Sequence, residues 1–258
     1  MDLLDEKIRR SIKRLQEFEP EQGYLIAFSG GKDSQVIYHL AKMAGVKFRA
    51  EVAPTPDPPE LIYFRRKHYP DVIERKCKPF TKRQAGGKYE GRPRTIFNLI
   101  SSRKIPPTRV NRYCCSELKE NVGEKGDVVV VGVRWSESRR RKGLSMVNFW
   151  KGKTMLRPII DWTEEDVWNF LKRNNIPYCE LYDKGFKRLG CVGCPLSHNQ
   201  KKELELYPKY KENYIRAFDR MLKNLDHATT WKTGEDVMKW WLGEKVETEE
   251  EECSMFED

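Results

Sequence analysis

The chain is 258 residues long, enough for one large domain or one domain with an appendage, and enough to bury a full core without disulfide or metal staples. Its formal charge of +10 is uneven: residues 244 to 258 carry eight acidic side chains and one lysine, so residues 1 to 243 stand at +17. A body that basic suits a polyanionic partner or a highly phosphorylated ligand. No stretch reaches the ~20 apolar residues of a membrane span, and the charged amino terminus is unlike a signal peptide, so the expectation is a cytoplasmic protein with no membrane partner.

In chain order, Leu4, Ile8, Ile12 and Leu15 recur at helical spacing and predict an amphipathic helix over residues 2 to 19. The apolar run Tyr24 to Phe28 reads as a buried strand. It leads straight into Ser29-Gly30-Gly31-Lys32-Asp33-Ser34, after which Val36, Ile37, Leu40 and Ala41 resume a helical period. Phe48 to Ala53 alternates like a second strand, the cluster Pro54, Pro56, Pro58, Pro59 forces an extended turn, and a helix is expected over 60 to 69. Val72 to Arg75 is a candidate third strand, and Asp127 to Val133, with four consecutive valines, is the clearest buried one. Strands alternating with helices predict an α/β fold with a parallel sheet.

Residues 80 to 112, rich in Lys, Arg, Gly and Pro, read as a long functional loop with one short helix at 95 to 102. Thr163 to Asp166 resembles a capping box and opens a helix through Val167, Phe170 and Leu171. After Pro195 a helical chain is expected to Gly243, with Leu206, Tyr210, Tyr214, Phe218 and Leu222 on one stripe. The organisation expected is a domain over 1 to 200, a helical extension over 201 to 243 and an acidic disordered tail over 244 to 258.

A glycine turn between strand and helix aims backbone N–H groups and the positive end of the helix dipole at one point. Gly30 and Gly31 let the backbone close on an anion, Lys32 adds a point charge, and the Ser29 and Ser34 hydroxyls supply further bonds. The competing reading is an ordinary turn in which Ser34 or Asp33 caps the helix. The whole hexapeptide resembles the PP-loop of the N-type ATP pyrophosphatases. That resemblance implies a doubly wound, adenine nucleotide α-hydrolase-like sheet, with a loop that holds pyrophosphate when ATP, with Mg2+, adenylates a substrate.

Cys114 and Cys115 are adjacent, and Cys191 and Cys194 form Gly190-Cys191-Val192-Gly193-Cys194-Pro195. Four thiolates in two close pairs suit a 4Fe-4S cluster or zinc, although Cys-x-x-Cys alone also serves as a redox pair or zinc knuckle. Cys77 and Cys179 have no partner at useful spacing. A tandem Cys-Cys followed by Cys-x-x-Cys-Pro downstream of a PP-loop resembles the cluster-bearing branch of the phosphoadenosine or adenosine phosphosulfate reductase family. Gly132-Val133-Arg134-Trp135-Ser136-Glu137-Ser138-Arg139-Arg140, the run Pro158 to Trp168, Pro177-Tyr178 and Leu181-Tyr182-Asp183 extend the likeness over about residues 20 to 200. It implies cluster ligation by Cys114, Cys115, Cys191 and Cys194, and nucleotide contacts from Arg134 and Arg139.

The pattern also departs from that family. Its reductases have typically lost the second glycine and the lysine of the loop, whereas Gly31, Lys32 and Ser34 are kept, which favours ATP over an adenylyl sulfonucleotide. A reductase also needs a nucleophilic tail cysteine. Cys253 is the candidate, but Glu249 to Glu252 raise its thiol pKa and leave less thiolate. The expected chemistry is adenylation, catalysed through Lys32, Asp33 and Arg134, coupled to sulfur transfer onto nucleic acid from a sulfur donor protein. The alternative is sulfite production, which would call on Cys253 and a thioredoxin-like reductant.

Arg134, Arg139, Arg140, Arg141 and Lys142 follow the valine strand at the end that faces the ligand crevice of a doubly wound sheet. Tyr89, Phe97 and Tyr113, interleaved with the basic loop, are candidates to stack on bases. His39, Trp231, Trp240 and Trp241 are assigned packing roles, and His198 none.

Overall fold

The computed structural model describes residues 2 to 85 and 88 to 244. The helices are α1 (Leu3–Glu17), α2 (Lys32–Ala44), α3 (Pro59–His68), α4 (Lys82–Ala85), α5 (Ile96–Arg103), α6 (Glu164–Arg173), α7 (Gln200–Leu206), α8 (Pro208–Leu222) and α9 (Gly234–Trp241). The strands are β1 (Tyr24–Ala27), β2 (Phe48–Val52), β3 (Ile73–Glu74), β4 (Val128–Val130), β5 (Val147–Trp150) and β6 (Lys153–Leu156). The chain divides into two compact units, Met1–Cys77 with Cys115–Cys191 and Lys78–Cys114 with Val192–Asp258. This differs from the expected contiguous domain over 1 to 200: the basic stretch 78 to 114 folds with the helices assigned above to an extension.

The first unit is built on a sheet of order β3-β2-β1-β4-β6-β5, parallel throughout except for β5 against β6. The fold is therefore α/β with a mainly parallel, doubly wound sheet. β1 is central, with Ile26 opposite both Ala50 and Val130, and its apolar run is what a strand covered on both faces requires. One face carries the main core, where Tyr24, Ile26, Val36, Leu40, Trp162, Phe170 and Leu171 are buried. Each large apolar side chain buried there contributes about 1.5–3 kcal/mol. The reverse face holds the small cluster Leu25, Val122 and Val129. The Thr163 capping box forms as expected, its hydroxyl accepting from the Asp166 N–H at 3.1 Å and the Asp166 carboxylate accepting from the Thr163 N–H at 2.6 Å.

The β5–β6 hairpin had no expected counterpart. Its turn, Lys151-Gly152, has φ of +50° and +79°, the double left-handed geometry that favours Asn-Gly, so lysine hid the signal.

In the second unit α5, α8 and α9 pack together. Phe97 lies edge-on to Tyr214 at 5.1 Å, and Trp241 contacts both Tyr214 and Phe218. The continuous helix expected after Pro195 is three helices. Pro208 cannot continue α7 but suits the first turn of α8, and the Thr233 hydroxyl accepts from the Asp236 N–H to start α9 anew. The buried face of α8 is Tyr214, Ala217, Phe218 and Met221, while Leu206 belongs to α7 and is exposed. The acidic tail beyond Glu244, with Cys253, lies outside the described residues.

Candidate nucleotide site

The Ser29–Ser34 turn stands at the carboxyl end of β1 and opens α2. The helix begins at Gly31 with no side-chain cap, so neither Ser34 nor Asp33 takes the capping role of an ordinary turn. Instead the Ser34 hydroxyl donates to the Gly31 carbonyl at 2.8 Å and accepts from the Ser29 N–H at 3.2 Å, closing the turn on itself. Gly30 has φ +81°, and a Cβ there would lie 2.7 Å from the Arg65 Cγ, so conformation and crowding both require glycine. The Lys32 N–H donates to the Tyr182 hydroxyl oxygen at 3.0 Å.

Beneath the turn, Arg65 Nη1 donates to the Ser29 carbonyl at 2.9 Å and to Asp57 at 2.8 Å; both side chains are buried. This pair holds the loop backbone from below. The Lys32 side chain is also buried. Its Nζ donates to the Lys187 carbonyl at 3.1 Å and lies 3.5 Å from Glu164 and 3.9 Å from Asp33. Arg134, only 3% exposed, donates from Nε to Asp33 Oδ1 at 2.7 Å and from Nη1 to Ser136 Oγ at 2.9 Å. Gly132 makes this approach possible, because a Cβ there would stand 2.8 Å from the Asp33 carbonyl oxygen.

A cleft opens beside the turn, walled by Phe28, Ser29, Val52, Ala53, Leu61 and Lys119 among others. It sits at the carboxyl ends of β1 and β2, where doubly wound sheets bind ligands.

The phosphoadenosine phosphosulfate reductase domain model matches residues 23 to 197. The chain belongs to that family. Among relatives of this reductase-domain chain, an uncharacterised protein of Methanocaldococcus jannaschii is 30% identical over 234 residues, covering 85% of this chain and 54% of that protein. An adenosine 5′-phosphosulfate reductase of Neisseria meningitidis is 34% identical over 89 residues, covering 32% of this chain and 36% of that protein. The chain thus spans about half or less of these relatives' length. A solved phosphoadenylyl-sulfate reductase from Candida auris superposes with a TM-score of 0.46 at 16% identity, over 74% of this chain and 96% of that one.

In this reductase-domain chain the cysteine motif and the cleft meet through Lys119. Cys115 opens a π-helical turn, Cys115–Lys119, closed by the Glu120 N–H on the Cys115 carbonyl at 2.8 Å. Lys119, at its end, lines the cleft, and Gly190, directly before Cys191, is the neighbour of its ammonium. The buried Lys153 ammonium donates to the Val122 carbonyl at 2.6 Å and the Glu120 carbonyl at 3.4 Å, tying this segment to β6. Burial lowers the Lys153 pKa. π-helical turns recur at functional sites.

The four expected metal ligands divide between the units, Cys115 and Cys191 in the first, Cys114 and Cys194 in the second. All four are half-buried. Among the described residues no three His, Cys, Asp or Glu side chains are gathered to hold a metal ion. Arg139 is exposed in the 3-10 turn Arg139–Gly143 and is not drawn to the loop as Arg134 is. The stacking role expected of the basic loop's aromatics is also corrected. Tyr89 is buried, Phe97 packs on Tyr214, and the Tyr113 hydroxyl donates to the Ile105 carbonyl. The second unit uses these rings for its own packing.

Tyr182, Lys119 and the Asp57–Arg65 pair were not assigned roles from sequence. Tyr182 had a signal in Leu181-Tyr182-Asp183, whereas the others become visible only when strand ends are brought side by side. Among the described residues no helix is long and apolar enough to cross a membrane.

Proposed function

We propose that the protein binds ATP with Mg2+ at the Ser29–Ser34 turn and adenylates an oxygen of an acceptor, which a sulfur nucleophile then replaces. The carrying observation is the uncapped amino terminus of α2, flanked by the buried Lys32 side chain and the Asp33–Arg134 pair. An oxygen of the acceptor attacks the α-phosphorus, and the bond to the β-phosphate oxygen breaks. The departing pyrophosphate would take up negative charge at the amino terminus of α2, where the helix dipole and the Lys32 ammonium favour it. Arg134, paired with Asp33, would neutralise the rest. Attack by sulfur on the activated carbon then expels AMP. The basic body favours a nucleic acid as the acceptor, with the sulfur brought by a donor protein. Cys114, Cys115, Cys191 and Cys194 are the proposed ligands of a 4Fe-4S cluster, with zinc the alternative; no step above depends on it.

The family match itself favours a second reading, reduction of an adenylyl sulfonucleotide to sulfite by a thiol donor through Cys253. Incubating anaerobically purified protein with labelled ATP or with a sulfonucleotide separates the two. Pyrophosphate and AMP without sulfite support adenylation, and sulfite release overturns it.

A further inference from the structure

The open edge of the sheet carries chemistry that nucleotide binding does not use. Among the described residues β5 pairs within the sheet with β6 alone, and its outer backbone edge has no partner strand there. From Arg134 to Arg157 the sequence has eight basic residues and one acidic residue, Glu137. Arg134 is held by Asp33 and Arg141 by Glu137. Lys153 and Arg157 are buried, and Arg157 Nη1 donates to the Ser145 carbonyl and to Asn148 Oδ1, which pins the start of the edge strand.

Arg139, Arg140 and Lys142 remain, exposed and with no carboxylate partner among the described residues. Farther along the same edge Phe149 is 74% exposed, beside Trp150, over whose ring the Lys151 ammonium lies 4.3 Å from the centroid. Lys142 and Phe149 are seven residues apart, a reach of at most about 25 Å that a few nucleotides cover. Charges commonly guard edge strands against aggregation, but either sign serves that purpose. A one-sign cationic turn followed by an open aromatic face is what a single strand requires: phosphates along the cations and a base on the ring.

We propose that this edge is a track for single-stranded nucleic acid, with phosphates on Arg139, Arg140 and Lys142 and a base stacked on Phe149. The proposal rests on the reading of nucleic acid as the acceptor. The turn at Arg139 follows directly on Arg134, so a strand on the track would enter the crevice at the carboxyl ends of the sheet.

The test is fluorescence anisotropy of the full chain with a labelled single-stranded oligonucleotide of about twelve residues. The competitors are a duplex of the same sequence and polyglutamate. Binding should favour the single strand. Phe149→Ala should weaken it by at least about fivefold, and the double variant Arg140→Gln/Lys142→Gln should lower the log-log salt slope by about 1.4. All variants should keep the wild-type circular dichroism spectrum and the wild-type affinity for ATP alone. No binding to the oligonucleotide, equal binding by the variants, or displacement by polyglutamate as effective as by the unlabelled strand overturns the track. If the oligonucleotide binds and the variants weaken it while wild-type protein releases no pyrophosphate, the adenylation reading fails and the track stands.

Discussion

Arg134 and Asp33 are 101 residues apart in the chain and joined by a 2.7 Å hydrogen bond from Nε to Oδ1. The contact latches the segment after β4 onto the first turn of α2, so the loop and the arginine segment expected to face the nucleotide form one structure. Ser136 extends the latch, accepting from Arg134 and donating to the Trp162 carbonyl at 3.1 Å.

Lys32→Ala should lower pyrophosphate release by about 100-fold or more, with little change in Tm. In the proposed reaction the ammonium would meet developing charge, a contact of the kind worth that much in other sites. Steady-state release of pyrophosphate checks it, and near-wild-type turnover overturns the assigned role.

Gly132→Ala and Gly31→Ala should part company. A Cβ at position 132 meets the Asp33 backbone at 2.8 Å, whereas at 31 the nearest atoms are 3.4 Å away. The first variant is expected to lose about 1–3 kcal/mol of stability. The second should keep its Tm and lose nucleotide affinity. Thermal denaturation with and without ATP measures both.

Asp57→Ala removes the carboxylate from a buried Arg65 and should cost about 3–5 kcal/mol, since it strands a charge. Urea denaturation tests this. A loss under about 1 kcal/mol would mean that the pair does not hold the loop.

Stability should fall as the solution is acidified from pH ~6.5 towards 4, in part through His39. Burial lowers its pKa to about 4, and its Nε2 sits 3.1 Å from the Tyr69 hydroxyl. That hydroxyl also accepts from Gln35 Nε2 at 2.8 Å. In the pH window between the two pKa values the unfolded chain binds a proton that the folded one refuses, so folding is favoured above pH ~6.5 and the advantage is lost as pH falls. Discounted for partial exposure, the contribution is about 1–2 kcal/mol. A His39→Gln variant should show a flatter pH profile in denaturant titrations.

Anaerobically purified protein should contain iron and acid-labile sulfide in equal amounts, and Cys191→Ser should lose both. Zinc in place of iron would support the alternative metal, and metal-free protein removes the ligand assignment.

Local signals in the sequence determined much of this protein. Local pattern placed α1, β1, β2 and α3 to within a residue or two and detected α2 and α6 without fixing their ends, because each buries one face or both regardless of its partners. The PP-loop was legible because its chemistry lies in six consecutive residues. Tertiary structure alone decided which side chains serve the loop. Arg65, Asp57, Tyr182 and Lys119 approach the turn or the cleft beside it only once parallel strands bring their carboxyl ends together. It also decided how the basic loop folds. The rings of Tyr89, Phe97 and Tyr113, which read as open stacking surfaces, are taken up within the second unit. Burial of an aromatic face depends on distant helices, and a linear pattern carries no record of them.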